Sequence, residues 1–479
     1  MADERFEDHL SYPRRRGAVP DGASSGAAGG AACGDLITIA LTVTGDRVSA
    51  AGFEASGCGA VIAAGSAVVE LVEGALVLDA ARVGSREVAA ALGGLSVGKL
   101  HAADLAADAL ARALGQAVRV GAAVPPPGGG AGVPARTLVA MSGGVDSAVA
   151  ALLAVRAGEE VCTVTLELWA DEDHDGTKSC CSADAVRGAR SVAHRMGLPH
   201  LTLDLRAEFR AGVVDPWLSA HAQGLTPNPC VRCNGHVRLD AMLNYADRLG
   251  CATLTTGHYA RTTADGLLRV AADVAKDQSY MLSRLELDSL ARLRFPLGEL
   301  EKPAVRALAA EAELPVATKP DSQDLCFLAG TGREAFLARH GGLRERPGDI
   351  VDRTGAVVGR HRGAHAYTVG QRRGVLTAGG TGDPLYVLRT DVRANTVTVG
   401  PREALDVRRV PVEDIVVHGD AARIGSARLR SHSAPVDARL EPETGELVLA
   451  GSFAGAAPGQ LAVLMDGDVV AGHATIARR

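Results

Sequence analysis

Residues 121–135 read GAAVPPPGGGAGVPA, with a run of three prolines, a run of three glycines and no charged side chain. Neither a helix nor a central strand can run through such a segment, so the chain cannot fold as one uninterrupted domain. The segment reads as a flexible linker (121–135) between a module of residues 1–120 and a body of residues 136–479. At ~100–200 residues per domain, 479 residues imply two to four domains. No run of 18 or more apolar residues predicts a membrane-spanning helix, and the opening MADERFEDHL lacks the apolar core of an export signal. Nine cysteines, an odd number in a long chain, argue against a disulfide-stapled secreted scaffold. Metal or thiol chemistry in the cytoplasm, with no membrane partner, is the expectation.

The body alternates between strand and helix patterns. TLVAM (137–141), 160–168, 200–205 and ATLTT (252–256) read as strands, and 145–157, 183–197 and 236–249 as helices. That alternation predicts an α/β fold with a parallel sheet covered on both faces, over residues 136–344. From residue 345 short strands follow one another between Gly, Pro and Asp. A small β domain (345–405) and a C-terminal β-barrel domain (406–479) are expected. The 1–120 module reads as α+β: a hairpin of 36–43 and 47–55, helices at 60–73 and 101–117, and a loop over 13–32. The net charge of −6 gives no global argument for nucleic-acid binding. Residues 1–120 carry 14 acidic and 10 basic residues, whereas 351–375 hold five arginines against Asp352.

The sharpest local motif is Met141-Ser142-Gly143-Gly144-Val145-Asp146-Ser147, between a strand and a helix. Glycines let the backbone approach a ligand, and backbone N–H groups, serine hydroxyls and a helix N-terminus converge on an anion. It is neither GxxxxGK[ST] nor GxGxxG. The plain structural alternative is a strand–helix turn with a capping serine.

SGGVDS resembles the loop of the pyrophosphatase-loop ATPases (adenine nucleotide alpha hydrolase-like fold), which adenylate an oxygen and release pyrophosphate. Further blocks follow in order: LELW (166–169), CCS (180–182), GLPH (197–200), TPNPCVRCN (226–234), TGHYAR (256–261), KDQSYML (276–282), SQDLCF (322–327) and YTVGQRRG (367–374). Together they resemble the bacterial tRNA-specific 2-thiouridylases over roughly residues 136–479. The resemblance implies a tRNA-uridine 2-sulfurtransferase that adenylates uracil O2 of a wobble uridine with ATP and Mg2+, then delivers sulfur to C2. It implies that Ala140, Met141, Ser142, Gly143, Gly144, Val145, Asp146, Ser147 and Leu166 border ATP, with Gly257 closing over it. Asn228, Pro229 and Cys230 would face the target base. His258, Lys276, Asp277 and Gln278 would meet tRNA, joined by Arg430, Ser431 and Gln460 from the β region. Cys326 would carry the sulfur as a persulfide and Cys233 would be its partner nucleophile. Cys230, Cys233 and Cys326 are also a set of three thiolates fit for a 4Fe–4S cluster with one open iron, and the sequence leaves both routes open. Cys162 and Cys251, in apolar strand contexts, read as buried and inert. Cys180 and Cys181 read as part of a mobile loop near the site.

In the N-terminal module SYPRRRG (11–17), CGD (33–35), GCGA (57–60) and KLHA (99–102) resemble the NifU/IscU-type iron–sulfur scaffolds. The resemblance implies a metal site of Cys33, Asp35, Cys58 and His101, for zinc or an iron–sulfur group. Ala102 stands where that family carries another cysteine. A docking module for a sulfur donor such as a cysteine desulfurase is the other reading. Two alternatives for the whole chain also stand: another pyrophosphatase-loop ligase or sulfurtransferase, and an iron–sulfur scaffold with an inactive ATPase body.

Overall fold

The computed structural model describes residues 4–29, 34–128, 135–170, 183–321, 325–328, 330–375 and 384–478. The chain divides into two compact units. One comprises Met1–Arg206, Ala241–His258 and Arg292–Phe327, the other Ala207–Asp240, Tyr259–Ala291 and Leu328–Arg479.

The first unit holds both the N-terminal module and the parallel sheet. In the module, strands β1 (Ser24–Gly29), β2 (Leu36–Thr44) and β3 (Arg47–Ser56) form an antiparallel meander. Their inward residues Ile37, Ile39, Leu41, Val48 and Phe53 are buried. Helices Gly59–Val72 and Leu100–Val120 supply the alanines and valines that cover them. The expected loop over 13–32 is thus corrected, because 24–29 forms an edge strand and Glu4–Ser11 adds a helix before it.

The parallel sheet is built from β4 (Arg136–Ala140), β5 (Glu160–Glu167), β6 (His200–Asp204), β7 (Thr253–Thr255) and the short strand Leu293–Arg294. Its order is Leu293–Arg294, β7, β4, β5, β6, with every pairing parallel. The central strands are apolar on both faces because helices cover both, and Leu138, Val139, Val161, Val164 and Leu201 are buried.

Helix Leu100–Val120 joins module to sheet. A Cβ on Gly115 would stand 1.9 Å from the Thr202 carbonyl oxygen of β6, so only glycine allows the approach. Buried Asp108 on the same helix accepts from Arg112 at 2.7 Å and from Arg190 at 2.5 Å, and Arg112 reaches Glu167 at the end of β5 at 2.6 Å. Removing one partner of a buried pair of this kind costs ~3–5 kcal/mol, because the other charge is left buried and unpaired. The expected free tether is corrected over 124–126. The Val124 N–H donates to the Arg248 carbonyl at 2.7 Å, Val124 is buried, and the Pro125 carbonyl accepts from Arg136 at 2.9 Å. Residues 129–134 of that segment lie outside the described residues.

The second unit carries the β structure. Strands between Gly348 and Gly400 form a four-stranded sheet around Ile350, Val387, Val397 and Val399. Strands Asp406–Val417, Glu446–Ala454, Val436–Glu441, Ser426–Arg428, Leu461–Asp466 and Val469–Ile476 follow one another in space. The first pairs with the last, closing a barrel around Val410, Leu429, Leu447 and Leu464. The hairpin Arg261–Thr262 and Leu268–Arg269 extends the sheet beside Val469. This middle stretch of the chain therefore packs with the C-terminal barrel. Among the described residues no helix is long and apolar enough to cross a membrane.

Candidate functional site: an anion loop and two sets of thiols

β4 ends at Ala140, and the Met141 N–H donates to the Val164 carbonyl of β5 at 2.8 Å, which fixes where the loop leaves the sheet. Helix Val145–Arg156 then begins behind Gly144. Ser147 ties the loop together, accepting from the Ser142 N–H at 3.1 Å and donating to the Gly144 carbonyl at 3.1 Å. The Ser142 hydroxyl lies 3.2 Å from that of Ser147. Gly257, just beyond β7, lies over the helix start, where a Cβ would stand 2.7 Å from the Ser147 nitrogen. The structure thus brings Ala140 to Ser147 and Gly257 into one place at the carboxyl ends of β4 and β7, where open α/β sheets bind ligands. Leu166 sits near the same end of β5, 8% exposed.

Two lysines that no local motif marks stand on this loop. Lys302, 8% exposed, donates to both oxygens of Asp146 at 2.7 and 2.8 Å and pairs with Asp321 at 2.9 Å. Lys319 donates to the Gly143 carbonyl at 2.8 Å. Both come from residues more than 150 positions downstream of the loop, so only the fold could reveal them. His258, at the end of the same strand region, has Nδ1 2.8 Å from the Thr256 hydroxyl and its ring edge-on to Phe295. Cys326 is half-buried in this unit, next to buried Phe327.

In the second unit, Asn228 caps the short helix Pro229–Arg232 by accepting from the Cys230 N–H at 3.0 Å. Cys230 is half-buried and Cys233 buried. Cys233 opens a wide helical turn, Cys233–Arg238, of the π type, which recurs at functional sites. Cys230 and Cys233 thus share one helical start, while Cys326 belongs to the other unit. The Asp277 carboxylate is buried. It pairs with Arg428 at 2.6 Å and accepts from the Ser279 hydroxyl at 2.7 Å and the Ala271 N–H at 3.0 Å. Gln278 accepts from the Tyr259 N–H at 3.0 Å. These two expected tRNA contacts spend their side-chain oxygens inside the unit, and Lys276 beside them is half-buried. Arg430 donates to the Ala454 and Gly455 carbonyls at 2.8 and 3.0 Å, and Gln460 donates to the Thr226 carbonyl. Ser431 is half-buried beside Arg430.

The third constellation lies in the N-terminal module. Asp35, Cys58 and His101 place one ligand atom each within 4.8 Å of one another. Cys58 precedes helix Gly59–Val72. Its N–H donates to Asp35 Oδ1 at 2.7 Å and its thiol to Oδ2 at 3.2 Å. His101 Nε2 lies 2.9 Å from Asp35 Oδ2, and its Nδ1 lies 3.0 Å from the Gly98 carbonyl. Nδ1 facing that carbonyl holds the ring in place, so that Nε2 donates to Asp35 here and, once it gives up that proton, would turn its lone pair to a metal. Burial works to raise the Asp35 pKa, yet hydrogen bonds from Cys58 and His101 hold it below the usual carboxylate value. A thiol, a carboxylate and an imidazole are a donor set that fits zinc or iron. Ala102 is fully buried and offers no ligand. Cys33, the fourth expected ligand, lies outside the described residues, as do Cys180, Cys181 and residues 322–324.

Comparison with known proteins follows these regions. Residues 2–119 match the NifU-like N terminal domain, 135–330 the tRNA methyl transferase HUP domain, 334–401 the tRNA methyl transferase PRC-barrel domain and 413–476 the aminomethyltransferase beta-barrel domain. The "Bifunctional protein NifU/MnmA" of Rubrobacter xylanophilus is 43% identical, over 99% of this chain and 98% of that one. Proteins named "tRNA-specific 2-thiouridylase MnmA" from Thermobifida fusca and Frankia casuarinae are 45% and 44% identical. They cover 71% and 70% of this chain, and 95% and 97% of their own. From the loop at β4 to the closed barrel, preceded by a scaffold-type module, the chain belongs to the family of MnmA proteins, in its form fused to a NifU-like domain.

Proposed function

We propose that this chain is a cytoplasmic tRNA-uridine 2-sulfurtransferase that uses ATP to activate the O2 of a wobble uridine and replaces it with sulfur. The observation that carries this reading is the loop Ser142–Ser147. Its N–H groups and hydroxyls converge under Gly257 at the end of a parallel sheet, and ammonium groups flank it. Such a site binds a triphosphate and leaves its α-phosphorus open to an incoming oxygen. Asp146 and Asp321 are hard oxygen donors of the kind Mg2+ takes, and Mg2+ accompanying ATP supplies charge neutralisation of the phosphates.

The uracil O2 attacks the α-phosphorus and pyrophosphate leaves, giving an adenylated base whose C2 is open to a sulfur nucleophile. Cys326 holds the incoming sulfur as a persulfide, and the Cys233 thiolate attacks the Cys326 sulfur. A Cys233–Cys326 disulfide forms and hydrosulfide departs to C2, expelling AMP. A dithiol reductant returns the pair to thiols. Asn228, Pro229 and Cys230 border the base, which has to be extruded from its stack to reach C2. His258 and Lys276 contribute to tRNA contact. A 4Fe–4S cluster on Cys230, Cys233 and Cys326 is the second route, favoured by the placement of Cys230 one turn before Cys233. In the N-terminal module Asp35, Cys58 and His101, with Cys33, would hold zinc or an iron–sulfur group. That group would supply a site for capturing sulfur from a donor such as a cysteine desulfurase.

Mass spectrometry of nucleosides from unmodified tRNA tests this, after incubation with protein, ATP, cysteine and a desulfurase. The wild type is expected to produce 2-thiouridine and AMP, and Cys233→Ala and Cys326→Ala to lose at least ~100-fold in rate, because each removes a covalent step. Wild-type protein that yields no more 2-thiouridine than Cys233→Ala would dismiss the reading.

A further inference from the structure

Helix Lys302–Glu311 presents an unusual arrangement. Lys302 is its first residue, where the positive end of the helix dipole opposes a cation. Its side chain is nonetheless only 10% exposed, and it stays there because Asp146 and Asp321 surround it. Arg306, one turn later, takes the same Asp321 oxygen at 3.0 Å and the Ala317 and Lys319 carbonyls at 2.9 and 3.2 Å. Residues 317–321 are thereby strapped to this helix, and the helix is tied through Lys302 to the second residue of the one that follows the loop. Lys319 projects from the strap to the Gly143 carbonyl.

A neutral carbonyl is a weak partner for an ammonium compared with an anionic oxygen. Lys319 is exposed on a flexible four-carbon stem, within hydrogen-bond distance of the turn that converges on anions. Lys302 cannot serve in the same way, because Asp146 and Asp321 occupy its donors. The two lysines therefore divide the work by burial. We propose that Lys319 is a phosphate-contacting residue for the bound nucleotide. Lys302 is the positioning residue that, through Asp146 and Asp321, sets where Lys319 stands. The proposal rests on the nucleotide-binding reading of the loop and adds to it the groups that grip the leaving pyrophosphate.

The test measures binding of α,β-methylene-ATP, which cannot be cleaved at the reacting bond, and of adenosine, to the full-length protein by calorimetry. Lys319→Met is expected to weaken α,β-methylene-ATP by about 10–100-fold, the range of one charge-assisted hydrogen bond, and adenosine by less than about threefold. Lys319→Arg restores most of the affinity. Lys302→Met weakens the analogue similarly and Lys302→Arg recovers part of it. The double variant Lys302→Met/Lys319→Met is no weaker than Lys302→Met alone, because one residue acts through the other. Arg156→Ala removes an exposed pair between Arg156 and Glu311 of the same helix, and it keeps wild-type affinity. Wild-type affinity in Lys319→Met, an equal loss for adenosine, or additive losses in the double variant would overturn the proposal. Wild-type protein that fails to bind α,β-methylene-ATP would overturn the loop reading, and this assignment with it.

Discussion

Cys58 and Cys251 belong to the same compact unit, and their surroundings make them chemically different residues. Cys58 is exposed at the start of a helix, its sulfur 3.2 Å from a carboxylate oxygen that also faces an imidazole. Cys251 is buried, its sulfur 3.3 Å from that of Cys162 and 3.8 Å from the Leu249 carbonyl. The hydrogen bond shared with Cys162, followed by burial, pushes the Cys251 thiol well above its ordinary pKa. Only the thiolate is a nucleophile or a ligand, so Cys251 is chemically silent despite its closeness to Cys162. The lesson is that closeness of two sulfurs says little about function. What matters is whether solvent, a cation or a metal ion can reach the sulfur.

The largest expected effect is kinetic. Buried thiols react only from opened states, populated at ~10⁻³ or less, so iodoacetamide should label Cys58 about a thousandfold or more faster than Cys162 and Cys251. Peptide mass spectrometry of briefly treated native protein gives the ratio. Comparable labelling of Cys58 and Cys251 would break the contrast. Next comes metal affinity. Loss of an outer partner at metal sites costs about 10–100-fold, so loss of a ligand atom in Cys58→Ser or His101→Ala should weaken zinc binding by ~100-fold or more. Titration against a chromophoric chelator reads this directly. A matching loss in Cys33→Ser would place Cys33 in the same site. Unchanged affinity in Cys58→Ser would show that the three donors hold no metal.

How far these features were legible follows from the range of the interactions that make them. SGGVDS and its flanking strand and helix are contiguous, so Val145–Arg156 agrees with the expected 145–157 within a residue. The edge strand Ser24–Gly29 was not legible, because a run of Ser, Gly and Ala carries no strand propensity. Its composition reflects close packing instead. A Cβ on Gly26 would meet the Ala109 carbonyl of the covering helix at 2.3 Å. Of the expected set Cys33, Asp35, Cys58 and His101, the last three lie together, a closeness that only the resemblance, and no local pattern, announces. The contacts of Lys302 with Asp146, Cys162 with Cys251, and Asp108 with Arg190 span 156, 89 and 82 positions, and no local pattern announces them. Asp277 shows the opposite failure. It sits in a block that reads as a surface contact, while the fold turns its carboxylate inward to neutralise buried Arg428.

The smallest effect sharpens the silent half of the comparison. A thiol whose pKa is raised in the folded state keeps its proton there, while the unfolded chain loses it above about pH 8.5. Between those values the folded state binds more protons, so stability falls as pH rises, by up to ~1.4 kcal/mol per unit for one thiol. The stabilisation is complete below the unfolded pKa and drains away at alkaline pH, by about 2 kcal/mol between pH 8 and 10. Cys251→Ala should remove that share of the alkaline slope, although it loses about 1 kcal/mol of core packing at neutral pH. The chain contains two tryptophans, Trp169 in the first unit and Trp217 in the second. A Trp217→Phe background therefore confines the fluorescence of denaturant unfolding to the unit that holds Cys251. If parent and Cys251→Ala lose stability in parallel from pH 8 to 10, the thiol is not held protonated by its surroundings. Cys251 would then lose its place as the silent half of the comparison.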